Sequence, residues 1–165
     1  MSKYDPPAQP TPASKDGRPD CVRNVADIPP EAYEREKDGI AGIARDIGAA
    51  VGTRLLGVDL TEIPPGKKSS HLHSHSLKEE FFFVVGGRCR LKLGEKLWEL
   101  KAGDAVSRPA GTGVPHQFDN PFAEPCSVLM FGLQAGKGVE DVVDWPEIGR
   151  KLVLAADGTR KLEKA

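Results

Sequence analysis

From Arg54 onward the chain breaks into short runs of β-branched, aromatic and leucine residues, punctuated by Gly, Pro and Asp. These runs predict strands at 54–63, 71–76, 80–86, 88–93, 96–101, 105–108, 116–119, 126–134, 140–144 and 151–155. The intervals between them leave no room for crossover helices, so neighbouring strands must be antiparallel and the fold an all-β sandwich or barrel. In the run RCRLKL, Arg88, Arg90 and Lys92 share one face while Cys89, Leu91 and Leu93 share the other. That alternation is the mark of a strand buried on one side only.

Two other runs do not alternate. Phe81, Phe82, Phe83, Val84 and Val85 are apolar on both faces, and so are Val128, Leu129, Met130 and Phe131. Such strands need cover on both sides, from the N-terminal segment or from a second copy of the chain, and a homodimer is the expectation.

Upstream the pattern is weaker. Residues 1–24 hold Pro6, Pro7, Pro10, Pro12 and Pro19 among Ser, Thr, Asp and Lys, too little apolar area to offset the entropy of ordering them, so a flexible arm is expected. Pro29 and Pro30 ahead of EAYEREK predict a short helix, and the glycines at 39, 42, 48 and 52 argue against a longer one. Residues 25–165 then form a single domain, in keeping with a chain of 165 residues and 17.8 kDa.

Composition removes several classes of function. With 23 basic and 24 acidic residues the formal charge is -1, so no field of one sign recruits nucleic acid or an anionic membrane. Residues 1–53 lack the paired helices and basic patch of a DNA-binding element. Neither a secretory signal nor an apolar run near the ~20 residues of a membrane span is present, and the cytoplasm is the expected compartment. Cys21, Cys89 and Cys126 are odd in number and far apart, which suits reduced thiols rather than a disulfide framework or a thiolate zinc knuckle.

The chemistry concentrates in two stretches, which contain all four histidines. His73 and His75, two apart on an extended segment, can present two imidazoles to one point; Glu80 follows after a turn, and His116 comes from a distant strand. Imidazole and carboxylate suit one divalent transition metal ion, Fe, Mn, Ni, Cu or Zn, and argue against Cu(I). Gly87 and Gly103 supply tight turns, and Pro109-Ala110-Gly111 bends the chain ahead of His116.

These residues resemble the two motifs of the cupin superfamily. In residues 66–87 the resemblance covers Gly66, His73, His75, Glu80 and Gly87, and in residues 103–120 it covers Gly103, Pro109, Gly111, His116 and Asn120. It implies a small double-stranded β-helix or jelly-roll barrel in which His73, His75, Glu80 and His116 bind the metal. The chain departs from the pattern in two places: six residues rather than five separate Gly66 from His73, and four rather than two separate Gly111 from His116. The longer second loop bears on the mouth of the pocket. Over residues 43–155 the chain is also similar to a subgroup of stand-alone bacterial cupins.

Other residues carry weaker signals. His71 shares strand parity with His73 and His75 and is read as a solvent-facing residue, with an added metal ligand or a proton shuttle as the alternatives. Glu79 is read as solvated, and residues 66–70 as a solvated loop rather than a phosphate site. Phe82, Val84, Phe118 and Met130 share parity with inward positions, as core or as cavity lining, and Arg108 is a candidate anchor for an anionic substrate. Asn120 is expected to satisfy backbone groups, and Trp98 and Trp145 to be core or interface anchors. Three histidines and a carboxylate leave coordination positions open, as catalysis requires. The expected function is a metal-dependent enzyme acting on a small oxygen-rich molecule, by isomerase-like Lewis-acid chemistry with Glu62 or His71 as candidate base. An Fe(II) dioxygenase and a non-catalytic metal and metabolite-binding module are the alternatives.

Overall fold

The structure is a computed structural model that describes residues 17–134 and 138–165. Its elements are almost all strands, in a jelly roll: β1 (Glu31–Arg35), β2 (Ile40–Asp46), β3 (Leu56–Ile63), β4 (Ser74–His75), β5 (Glu80–Gly86), β6 (Arg88–Leu93) and β7 (Lys96–Lys101). They continue with β8 (Ala105–Arg108), β9 (His116–Asp119), β10 (Cys126–Leu133), β11 (Asp141–Trp145), β12 (Arg150–Leu154) and β13 (Arg160–Lys164). Every strand pairing is antiparallel. The sheet orders are β1-β2-β3-β10-β5-β8, β13-β12-β11-β4 and β7-β6-β9. The lone α-helix among the described residues, α1 (Ile47–Val51), is capped by Asp46, whose Oδ1 accepts the Ala49 N–H at 2.7 Å.

The core lies between the sheets and is built from Ile63, Phe82, Val84, Cys89, Leu91, Phe118, Cys126 and Val128. The alternation expected in β6 is present, with Cys89 and Leu91 buried while Arg90 turns outward to Asp119. In β5 the alternation separates two environments. Phe82 and Val84 are buried at 4% and 1% exposure, whereas Phe81, Phe83 and Val85 remain 40%, 37% and 50% exposed. The N-terminal segment does not cover this outer face, because β1 and β2 extend the same sheet at its edge.

Three local expectations are corrected. The helix predicted after Pro29 and Pro30 is the strand β1, paired along its whole length with β2. The local preference of EAYEREK for helix loses to a partner strand whose Ile40 and Ala41 are buried, and a turn ending at Gly39, φ +67°, returns the chain. Neither β2 nor β13 is among the strands the sequence pattern predicts. The predicted strand at 71–76 shrinks to Ser74–His75, with His73 held by a separate bridge to His116.

The arm expected at 1–24 lies mostly outside the described residues. Its described end, from Gly17, carries no strand, and Asn24 caps a short 3₁₀ turn over Val25–Asp27. Trp98 is 52% exposed on β7 and so is no core anchor. Cys21, Cys89 and Cys126 are all free thiols.

Candidate metal centre

Glu80 opens β5 and points inward, with the same parity as Phe82 and Val84. Its cross-strand neighbours are Gly132 on β10 and Arg108 on β8. Gly132 leaves room for Lys78: a Cβ at that position would lie 2.6 Å from Lys78 Cε. The Lys78 ammonium donates to Glu80 Oε1 at 2.8 Å, which turns Oε2 toward the histidines.

The imidazoles come from two segments, residues 73–75 and the start of β9. His73 and His116 face each other across an antiparallel bridge, with ring centroids 4.4 Å apart. His75 lies on β4, its ring centroid 5.0 Å from that of His73. From Glu80 Oε2, the Nε2 atoms of His116, His75 and His73 stand 3.1, 3.4 and 4.0 Å away. The ligand atoms of His73, His75 and Glu80 all lie within 4.8 Å of one another, and His116 adjoins that group through Glu80 and the His73 ring.

Ring orientation is set from outside the cluster. His73 Nδ1 contacts the His71 carbonyl at 2.8 Å, and His75 Nδ1 contacts the Asp141 carboxylate. Each partner is an acceptor, so each Nδ1 carries the proton and each Nε2 keeps a free lone pair.

The cluster is an array of buried polar atoms without hydrogen bonds. Glu80 Oε2, His75 Nε2 and both ring nitrogens of His116 are buried and unpartnered, although the two Nε2 atoms approach the carboxylate closely. Such atoms cost free energy unless something else satisfies them. A divalent cation does so, and nitrogen and oxygen donors of this kind fit one; the residues do not select among such metals.

The electrostatics agree with that fit. Burial and the neighbouring His116 lower the His73 imidazole to about 4, against a smaller opposite pull from Glu80, so the ring is neutral and able to ligate. Burial pushes the Glu80 carboxyl up, but His116, Lys78 and His75 outweigh it and hold the group well below the usual carboxylate range. Asp141 behaves alike: burial raises it, and the bonds from His75, Leu77 and Lys78 bring it down further.

One cavity adjoins the cluster, and a second basin adjoins that cavity. The inner one, about 170 Å³, is walled by Phe82, Phe118, Met130 and Tyr33, with His73, Glu80 and His116 at its inner end. An outer basin of about 330 Å³ shares Tyr33, Ser69 and Ser70 with it and opens past Arg35, His71 and Trp145. Tyr33 lines both, donating its hydroxyl to the Ser69 carbonyl at 3.1 Å. Gly42 makes room for that ring, since a Cβ there would lie 2.4 Å from the phenol oxygen.

The remaining sequence candidates are placed as follows. Arg108 does not reach the inner cavity. It lines a narrow cleft beside His75, Lys78 and Glu80, donating to Thr112 Oγ1 and the Val114 carbonyl. Val84 is core, and Asn120 is a buried brace, donating to the carbonyls of Ile63 and Glu124. Neither candidate base points at the cluster. Glu62 alternates with the buried Thr61 and Ile63, so it lies on the outer face of β3. His71 sits in the outer basin, its Nε2 3.5 Å from Asp38 Oδ2.

Asp141, Lys78 and Tyr33 were not singled out from the sequence. Tyr33 was hidden inside the expected helix. The other two had no local signal.

Fold and cluster together define the class: this is a jelly roll with a histidine and glutamate cluster at one end of its barrel. Residues 59–132 match the cupin domain, and the chain belongs to the cupin superfamily. Among solved structures it is similar to a protein of Acidithiobacillus ferrooxidans provisionally named a sugar phosphate isomerase. That match has 26% identity and a TM-score of 0.79, covering 88% of this chain and 92% of the other. A cupin-superfamily sugar phosphate isomerase of Silicibacter pomeroyi shares the fold at 24% identity, with a TM-score of 0.73 and coverage of 86% and 90%. The uncharacterized protein MJ1618 of Methanocaldococcus jannaschii is 33% identical over 67 residues, 41% of this chain and 51% of its own length. The chain therefore spans about half of that relative. Among the described residues no helix is long and apolar enough to cross a membrane.

Proposed function

We propose that this cupin is a metal-dependent enzyme holding one divalent transition metal ion on His73, His75, Glu80 and His116. The reaction class it serves is Lewis-acid chemistry on a small oxygen-rich molecule, with isomerisation of a sugar or sugar phosphate as the leading case. One observation carries the reading: three imidazole Nε2 atoms surround a single carboxylate oxygen at the inner end of a cavity, with three of these four atoms buried and unpartnered. The resemblance along most of the chain to the Acidithiobacillus ferrooxidans protein supports the reaction class.

A bound metal ion would polarise a carbonyl or hydroxyl oxygen of the substrate. The chain's own residues do the rest. Lys78 and Asp141 hold the ligands in orientation, while Phe82, Phe118 and Met130 give the inner cavity an apolar wall. With Glu62 and His71 turned away, the phenol of Tyr33 is the acid–base group in that wall. Burial, then the nearby Asp59, raises its pKa, so Tyr33 stays protonated near neutrality, and it would serve as a donor by turning its proton from the Ser69 carbonyl to the substrate.

The apolar lining favours a second reading, Fe(II)-dependent oxygenation of a small, partly apolar chelator such as a catechol or diketone. Elemental analysis of the protein as purified, followed by assay of the refilled protein, separates the two. Turnover of pentose or hexose phosphates with Mn(II) or Zn(II) supports the first. Rapid oxygen uptake by Fe(II)-loaded protein with a catechol reverses the order. A protein that retains no divalent metal sinks both.

The outer face of β5 supports a homodimer. Phe81 stacks on Phe131 with centroids 5.5 Å apart, next to exposed Phe83 and Val85. A net charge of only -1 leaves little repulsion between copies.

A further inference from the structure

We propose that Asp141 is a positioning residue of the metal centre, and that through it the C-terminal sheet β11-β12-β13 is coupled to occupancy of that centre. The inference rests on the metal reading above. Asp141 opens β11, beyond the stretch that matches the cupin domain, and is 1% exposed.

Its two carboxylate oxygens do different work. Oδ1 accepts the backbone N–H groups of Ser76 at 3.0 Å, Leu77 at 2.9 Å and Lys78 at 3.2 Å, together with the Ser76 hydroxyl at 3.1 Å. Oδ2 accepts the proton on His75 Nδ1. One side chain thus shapes the turn from His75 to Lys78 and sets the His75 tautomer. A carboxylate on the far nitrogen also makes an imidazole a better donor to a metal.

The attachment of the C-terminal sheet runs through the same residues. β11 joins the rest of the fold by pairing with β4 at two positions, Val143 with His75 and Asp144 with Ser74. Ser76 adds two backbone contacts, donating its N–H to the Val142 carbonyl and accepting the Val142 N–H on Oγ. Further out there are the ion pair of Lys92 with Glu147 at 3.0 Å and the edge contact of Trp145 with His71. Aiming His75 and docking the C-terminal sheet are therefore largely one event. If docking strengthens metal binding, metal binding must strengthen docking by the same factor.

The test uses the full chain and Zn(II) alone. Competition with a chromophoric chelator reads the Zn(II) affinity of wild type and of Asp141→Asn, which keeps the shape but loses the charge. A fall of about 10–100-fold is expected. Hydrogen exchange supplies a second readout. Backbone amides of residues 141–154 should gain protection when the wild type is loaded and gain little in the variant, while residues 88–101 respond equally in both.

Affinity within twofold of wild type, or no change in exchange over 141–154 on loading wild type, overturns the proposal while leaving the metal reading intact. Failure of the wild type to bind Zn(II) overturns both. Should Asp141→Asn not fold, ¹⁵N chemical shifts of His75 in metal-free wild type decide: the Nδ1–H tautomer is expected, and a dominant Nε2–H tautomer overturns the assignment.

Discussion

His73 and His116 exchange both backbone hydrogen bonds across their bridge, His73 N–H to the His116 carbonyl at 3.1 Å and His116 N–H to the His73 carbonyl at 2.7 Å. The pairing involves no side-chain atoms, so the two imidazoles are brought together by main chain alone. Replacing both by Ala should therefore remove the ion and leave the barrel. Metal content by elemental analysis should fall from near one equivalent to background, with a loss of affinity beyond the ~10–100-fold typical of losing an outer partner. Thermal unfolding should remain cooperative. Full retention of metal by the double variant would contradict the assignment of both ligands.

The metal-free protein should lose stability in acid in two stages. The His73 imidazole is lowered to about 4 from 6.5 by burial and His116, so between those values the unfolded chain binds a proton that the native ring refuses. Its contribution is fully present above pH 6.5 and is lost as pH falls toward 4, by about 3 kcal/mol at most. Glu80 and Asp141, both held below the ordinary carboxylate range, then lose their contributions as pH falls further. Denaturant unfolding of metal-free protein at pH 7.5, 5.5 and 4 reads the first stage. Equal midpoints at all three would show that His73 is not buried as a neutral ring.

Much of this arrangement can be read along the chain, and what cannot has a common cause. Period-two alternation places Cys89 and Leu91 inside and Arg90 outside because a strand with one wet face needs nothing beyond its own pattern. His73, His75, Glu80 and His116 stand out because each is tied to a nearby turn. His71 shows where parity fails: residues 71 and 72 are not in strand geometry, so its ring turns out toward Trp145 rather than toward His73. Glu31–Arg35 reads as helix because its pairing partner, not its own composition, makes it a strand. Asp141 is silent for the same reason. Its meaning lies in a contact with His75, 66 positions away, and an acidic residue at a strand start has no local signature.

Gly87 closes the first motif for a steric reason, and a conservative change there should be costly. Its φ is +72°, and a Cβ would lie 2.3 Å from the Pro125 carbonyl oxygen, a backbone atom that cannot move aside cheaply. Gly87→Ala combines the left-handed strain with the clash and should destabilise the fold by roughly 2–4 kcal/mol. Metal affinity of the fraction that remains folded should change little, because Gly87 lies at the far end of β5 from Glu80. A denaturation midpoint equal to wild type would show that the β5–β6 corner is softer than its geometry implies.

The alternation in β5 also allows self-association to be separated from metal binding. Glu80, Phe82 and Val84 face inward, while Phe81, Phe83 and Val85 present an apolar surface outward. Charged side chains on the outward set would be desolvated in a face-to-face dimer yet reach solvent freely in a monomer. Phe83→Glu and Val85→Lys should each weaken the dimer at least tenfold and together give a monomer by light scattering at micromolar concentration. Metal stoichiometry should be unchanged in both, since neither side chain shares a face with Glu80. A wild-type protein that is already monomeric at that concentration would remove the dimer proposal, and loss of metal in the outward variants would show that the two faces of β5 are not independent.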